Sequence, residues 1–159
     1  MSMWALAFGG VATCVLALNA SVWRRNTANI DALGISFMLL VVWFISNATL
    51  ALYGVPDGVR LYPLWDLIGG VLVAVSFSRH PSIWKGVVLG CFFAMMAAHV
   101  AVCARYLSGS GSASFYLKAL DVLVLVQLAA AAWPGARHVA VHLFSGLRGV
   151  PDPRLRMGD

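Results

Sequence analysis

Three side chains carry most of the chemistry this sequence offers. Asp66, His99 and Asp121 each sit inside an otherwise apolar run, and Asn47 sits inside a fourth. Two carboxylates near one imidazole favour its cation, and the imidazolium in turn keeps the carboxylates ionised. Such a set suits a charge network that locks helices together, a site that exchanges protons or ions, or a hard-metal site. Lys118, one helical turn before Asp121, is placed to neutralise it locally. Gln127 lies six residues beyond Asp121 and hints at a polar path leading inward, with Asn19 in the first apolar run as another polar position. A helix turns about 240° between Asp121 and Gln127, which puts the two on different faces.

The elements that must hold these residues follow from composition. Of 159 residues, 61% are hydrophobic and 11% charged, with no Glu at all. The mean hydropathy is +0.85. A soluble domain this small leaves too much of its chain at the surface to hide so much apolar side chain. Nucleic acid is excluded as a partner, because the net charge of +5 comes from eleven Lys and Arg scattered between apolar runs. The expectation is an all-α integral membrane protein whose immediate partners are lipids.

A helical crossing needs about 20 apolar residues, within a range of roughly 17–25. Five runs fit: 3–22, 33–53, 61–77, 86–104 and 115–133, the third being the shortest and containing Asp66. Turn-forming residues separate them, as in Gly54-Val55-Pro56-Asp57-Gly58 and Ser108-Gly109-Ser110-Gly111-Ser112. With five crossings, eight of the eleven basic residues fall on the side of the C-terminus and three on the other. The positive-inside rule then puts the N-terminus outside and the C-terminus in the cytoplasm. A four-crossing arrangement would put Arg79 and Lys85 on the wrong side. Counted from the outer ends of their helices, Asn47, Asp66, His99 and Asp121 all lie roughly 8–9 Å deep. Four helices thus deliver a polar residue to one level.

Helices in lipid associate through close backbone approach and interhelical hydrogen bonds. Small residues spaced by four supply faces for this: Gly9 and Thr13 with Ala5, Ala17 and Ser21; Gly70 with Ala74 and Ser78; Gly86 and Gly90 with Ala94 and Ala98. These stripes serve packing within the chain, or contact with a second copy or another membrane protein. Trp4, Trp23, Tyr53, Tyr62, Trp84, Tyr106, Tyr116 and Trp133 fall near the ends of the runs, as interfacial anchors do.

After Trp133-Pro134-Gly135, residues 136–147 read as a short amphipathic helix on the inner leaflet, and residues 151–156 as a disordered end. The chain therefore divides into a five-span domain, 1–135, and a basic tail, 136–159. His138 and His142 have the spacing of a metal pair, but no carboxylate or thiol accompanies them, so a solvated face is expected. Cys14, Cys91 and Cys103 are odd in number and all lie in apolar runs, which argues against a disulfide framework. The first run lacks a preceding basic stretch and reads as a retained span, not a cleaved signal.

No phosphate-binding glycine loop, HExxH, GxSxG or CxxC occurs. No cofactor is expected, and Asp66, His99 and Asp121 alone make thin support for catalysis. The segments Trp23-Arg24-Arg25, Tyr62-Pro63-Leu64-Trp65-Asp66, Leu120-Asp121 and Ala132-Trp133-Pro134-Gly135 resemble those of small multi-spanning membrane proteins of tailed phages and prophages. That resemblance implies a bacterial inner-membrane location and carries no activity with it. Holins are small, apolar and basic at the C-terminus, but have one to three spans and no such buried acids. The leading expectation is a non-enzymatic inner-membrane protein acting by self- or partner-assembly. The alternative is a proton, ion or small-solute conduit built on the Asp/His cluster. A metal-dependent membrane enzyme at that cluster is the third.

Overall fold

The computed structural model describes residues 3–22, 27–54, 60–107 and 113–147. They form five α-helices: α1 Met3–Val22, α2 Thr27–Tyr53, α3 Tyr62–Arg79, α4 Ile83–Leu107 and α5 Ala113–Leu147. There is no strand among the described residues. The expected loops at 24–26, 55–58 and 108–112, and the disordered end at 151–156, lie outside them, as do the side chains of Trp4, Trp23 and Tyr106.

Chain order explains most of the packing. Each helix lies against the next, α5 closes the ring against α1, and α2 also touches α5 across the middle. The α2–α5 contact divides the ring, with α1 on one side and α3 and α4 on the other. The core runs through Phe8, Ile35, Leu39, Val73, Val88, Phe92, Met95, Leu120 and Leu128. Large apolar side chains also point outward, among them Phe37, Phe44, Leu72, Phe93, Val100 and Val122. In water such a coat would associate. Three helical stretches are long and apolar enough to cross a membrane: Ile30–Tyr53, Ile83–Val102 and Tyr116–Phe144. Of the five expected crossings these three meet both criteria. Leu6–Val22 of α1 is a shorter apolar helix, and α3, with Asp66 and Arg79 in its 18 residues, is not among them.

Two boundaries differ from the sequence reading. First, α2 begins at Thr27, not at residue 33, which brings Asp31 onto the helix. The polar residues before 33 suit a helix end because Asp31 finds a partner there, as shown below. Second, no break follows Trp133. Pro134 lies inside α5, and the expected amphipathic helix is the last third of one 35-residue helix. Proline removes one backbone donor and crowds the preceding turn, but neighbouring helices can compensate inside a bundle. Here Asn19 Nδ2 donates to Ala131 O at 2.9 Å, beside the proline's turn.

Glycines serve close approach at specific points. A Cβ on Gly9 would lie 2.8 Å from the Trp43 ring, and one on Gly69 would lie 2.7 Å from Phe92. Gly135 is tightest: its Cβ would lie 2.6 Å from Asn19 Oδ1 and 3.0 Å from Leu18 Cγ. The expected stripes hold only in part. Gly70 and Gly86 meet Phe92 and Phe77 at ordinary contact distance, while Gly90 has open space beside it. Thr13 is exposed and its hydroxyl donates to Gly9 O of its own helix at 2.7 Å, so it stiffens α1 without joining it to a neighbour. Gly54, with φ at 68°, ends α2 in the left-handed conformation, and its N–H donates to Leu50 O.

Candidate functional site

The antiparallel order places the C-terminal ends of α2 and α4 beside the N-terminal ends of α1, α3 and α5. At that end a hydrogen-bonded chain crosses three helices. His99 on α4 faces Asp66 on α3, with Nε2 2.8 Å from Oδ2, and faces Tyr116 on α5, with Nδ1 2.5 Å from the phenol oxygen. All three are buried: Asp66 is 4% exposed, His99 3% and Tyr116 6%. A carboxylate only accepts, so the Nε2 proton points at Asp66. In the neutral imidazole Nδ1 is then an acceptor, and the Tyr116 hydroxyl donates to it. If the ring takes a second proton, Nδ1–H donates to the phenol oxygen instead. The same geometry serves both charge states.

Asp66 also faces a cavity of about 310 Å³, bordered by Asn47, Tyr62, Asp121 and Gln127 among the polar residues and by Phe8, Trp43 and Phe92 among the aromatic ones. Asn47 Nδ2 donates to Trp43 O of its own helix at 2.9 Å, which orients the amide. Gln127 is 1% exposed, and its Nε2 has no hydrogen-bond partner. An amide donor left unpaired inside a protein carries a desolvation penalty of about 1–3 kcal/mol unless something occupies the space beside it.

The polar layer expected from counting residues is therefore partly assembled. Asn47, Asp66 and Asp121 border one cavity, and His99 stands behind Asp66. Only one aspartate touches the imidazole, however, because Asp121 lies across the cavity and is exposed. Lys118 is exposed as well and makes no ion pair with Asp121 among the described residues. Gln127 borders the same cavity as Asp121 despite the rotation between them, since the cavity is wide enough to span both faces of α5. Tyr116, expected to be a boundary anchor, is a full member of the chain. Its signal in the sequence was its level: it lies at the start of its helix, near the depth assigned to His99.

The opposite end of the bundle holds a second charged pair. Lys85 is 2% exposed and lies in the first turn of α4, where the positive end of the helix dipole disfavours a cation. Three acceptors offset this: Asp31 of α2 at 2.5 Å, His80 O at 3.0 Å and Ser76 O at 3.3 Å. The two carbonyls lie at the C-terminus of α3, the negative end of its dipole. Midway in sequence along α1, Asn19 is fully buried and ties three helices, donating to Ser36 Oγ at 2.8 Å as well as to Ala131 O. No group of three metal-binding side chains occurs among the described residues.

The fold and site together define an all-helical bundle with membrane-crossing helices and a polar cavity set among them. Comparison with protein-family models, curated proteins and solved structures finds no match.

Proposed function

We propose that the protein is a polytopic inner-membrane protein that admits a proton or small solute into its cavity and exchanges protons through Asp66, His99 and Tyr116. The observation that carries this reading is convergence. Polar residues from α2, α3 and α5 border one cavity, and the most buried carboxylate among them is hydrogen-bonded to an imidazole that can gain or lose a proton in place. Ionisable groups inside a membrane are expensive and mark ion or proton pathways by default. A cluster needed only to join helices would have no use for a cavity beside it.

We place five crossings in the bilayer, with the N-terminus outside and the cavity toward the outer face. The division of basic residues supports this orientation. The 20 residues of α1 reach about 30 Å, the thickness of the hydrocarbon core, and α1 and α3 both pack lengthwise against the crossing helices. The likeness to prophage membrane proteins supports a bacterial inner membrane. Self-assembly is the second reading. Gly90, exposed on α4 with open space beside it, is the observation that favours it.

The test is proton flux in liposomes containing the purified protein and a trapped pH dye. A pH gradient should decay faster than in empty liposomes, and Asp66→Asn should abolish the difference while retaining helicity. Equal flux from that variant would refute the reading. Reporter fusions at each terminus test the orientation, which fails if both report the same side.

A further inference from the structure

We propose that the ligand of the cavity is a small organic ammonium ion; the assignment rests on the reading above and names its substrate class. The charge of the lining comes first. Asp66 and Asp121 border the cavity, while no Lys, Arg or His does, in a chain whose overall charge is +5. The walls come second. Phe8, Trp43, Tyr62 and Phe92 border the same space, and aromatic faces attract cations, more strongly where water is excluded. Third, Gln127 is 1% exposed and borders the cavity with its Nε2 unpartnered, so a donor waits at the deep side for an oxygen of the ligand or a water.

Size and lining separate an ammonium from a metal ion. At about 310 Å³ the cavity lies at the small end of ligand-binding pockets. A hard cation such as Ca²⁺ wants six to eight oxygens within about 2.6 Å, and most of this lining is hydrocarbon. A protonated amine with an apolar body satisfies both halves: its charge lies between the carboxylates and its body lies against the rings. Protonation of Asp66 through His99 then weakens the hold on the cation, which links ligand release to the proton chain.

The experiment is equilibrium binding of radiolabelled phenethylamine, charged at pH 7, to the full chain in nanodiscs, with neutral 2-phenylethanol as competitor. Saturable binding near one per chain is expected, with 2-phenylethanol at least tenfold weaker. Asp121→Asn should weaken binding tenfold or more; it lies outside the hydrogen-bonded chain, so it keeps the fold even if Asp66→Asn does not. Trp43→Leu should also weaken binding. Equal competition by the alcohol, no saturable binding, or unchanged affinity in Asp121→Asn overturns the assignment. If Asp66-dependent proton flux persists without amine binding, the substrate class falls and the proton reading stands. If flux is absent too, both fall.

Discussion

Asp31 and Lys85 form a buried pair in which the partners are unequally covered, and this predicts an inverted order of mutational damage. Lys85 is 2% exposed and Asp31 28%. Asp31→Asn leaves an ammonium sealed among two carbonyls and a neutral amide. Removing one partner from a buried pair typically costs about 3–5 kcal/mol, because the remaining charge is uncompensated. Lys85→Met leaves Asp31 able to hydrate, so the loss reduces to two unpaired carbonyls and the missing attraction, about 1–3 kcal/mol. The less buried residue should therefore be the more costly to replace, by about 2 kcal/mol. The double variant Asp31→Asn/Lys85→Met should recover part of the loss, since no ion remains. Equilibrium unfolding by SDS in mixed micelles, followed by far-UV circular dichroism, measures all three. Lys85→Met being as damaging as Asp31→Asn would show that the charge pair is not what holds α2 to the α3–α4 turn.

Other predictions follow from single contacts. Gly135→Ala should destabilise by about 1–3 kcal/mol in the same assay, because its Cβ would lie 2.6 Å from Asn19 Oδ1, and Gly90→Ala, with open space beside it, should be neutral or stabilising. Gly9→Ala should displace the Trp43 ring, read as a shift in tryptophan emission and as weaker phenethylamine binding. Tyr116→Phe leaves His99 Nδ1 without its phenol donor and should destabilise by about 1–3 kcal/mol, with a change in the His99 ring resonances by NMR.

What the sequence reveals about the site is depth. Counting along antiparallel helices is enough to bring Asn47, Asp66 and Asp121 to one level, because helix rise is constant. Rotation about each helix axis is not legible this way. It decides that His99 faces Asp66 and not Asp121, that Tyr116 completes the chain, and that Gln127 reaches the same cavity. Gly69 illustrates the limit: it escapes the small-residue stripes, yet it is the glycine that Phe92 requires, because packing selects a face and spacing alone does not.

The sequence by itself determined the helical class, the bounds of α1 and the presence of buried ionisable groups, since long apolar runs interrupted by turn residues admit few other structures. The tertiary structure alone decided who partners whom. Pro134 ends a helix by local rules, and only the nearby amide of α1 lets α5 continue through it. Lys85 reads as a loop cation until α2 and the end of α3 surround it. Partners distant in sequence supply these energies, and nothing in the local pattern specifies them.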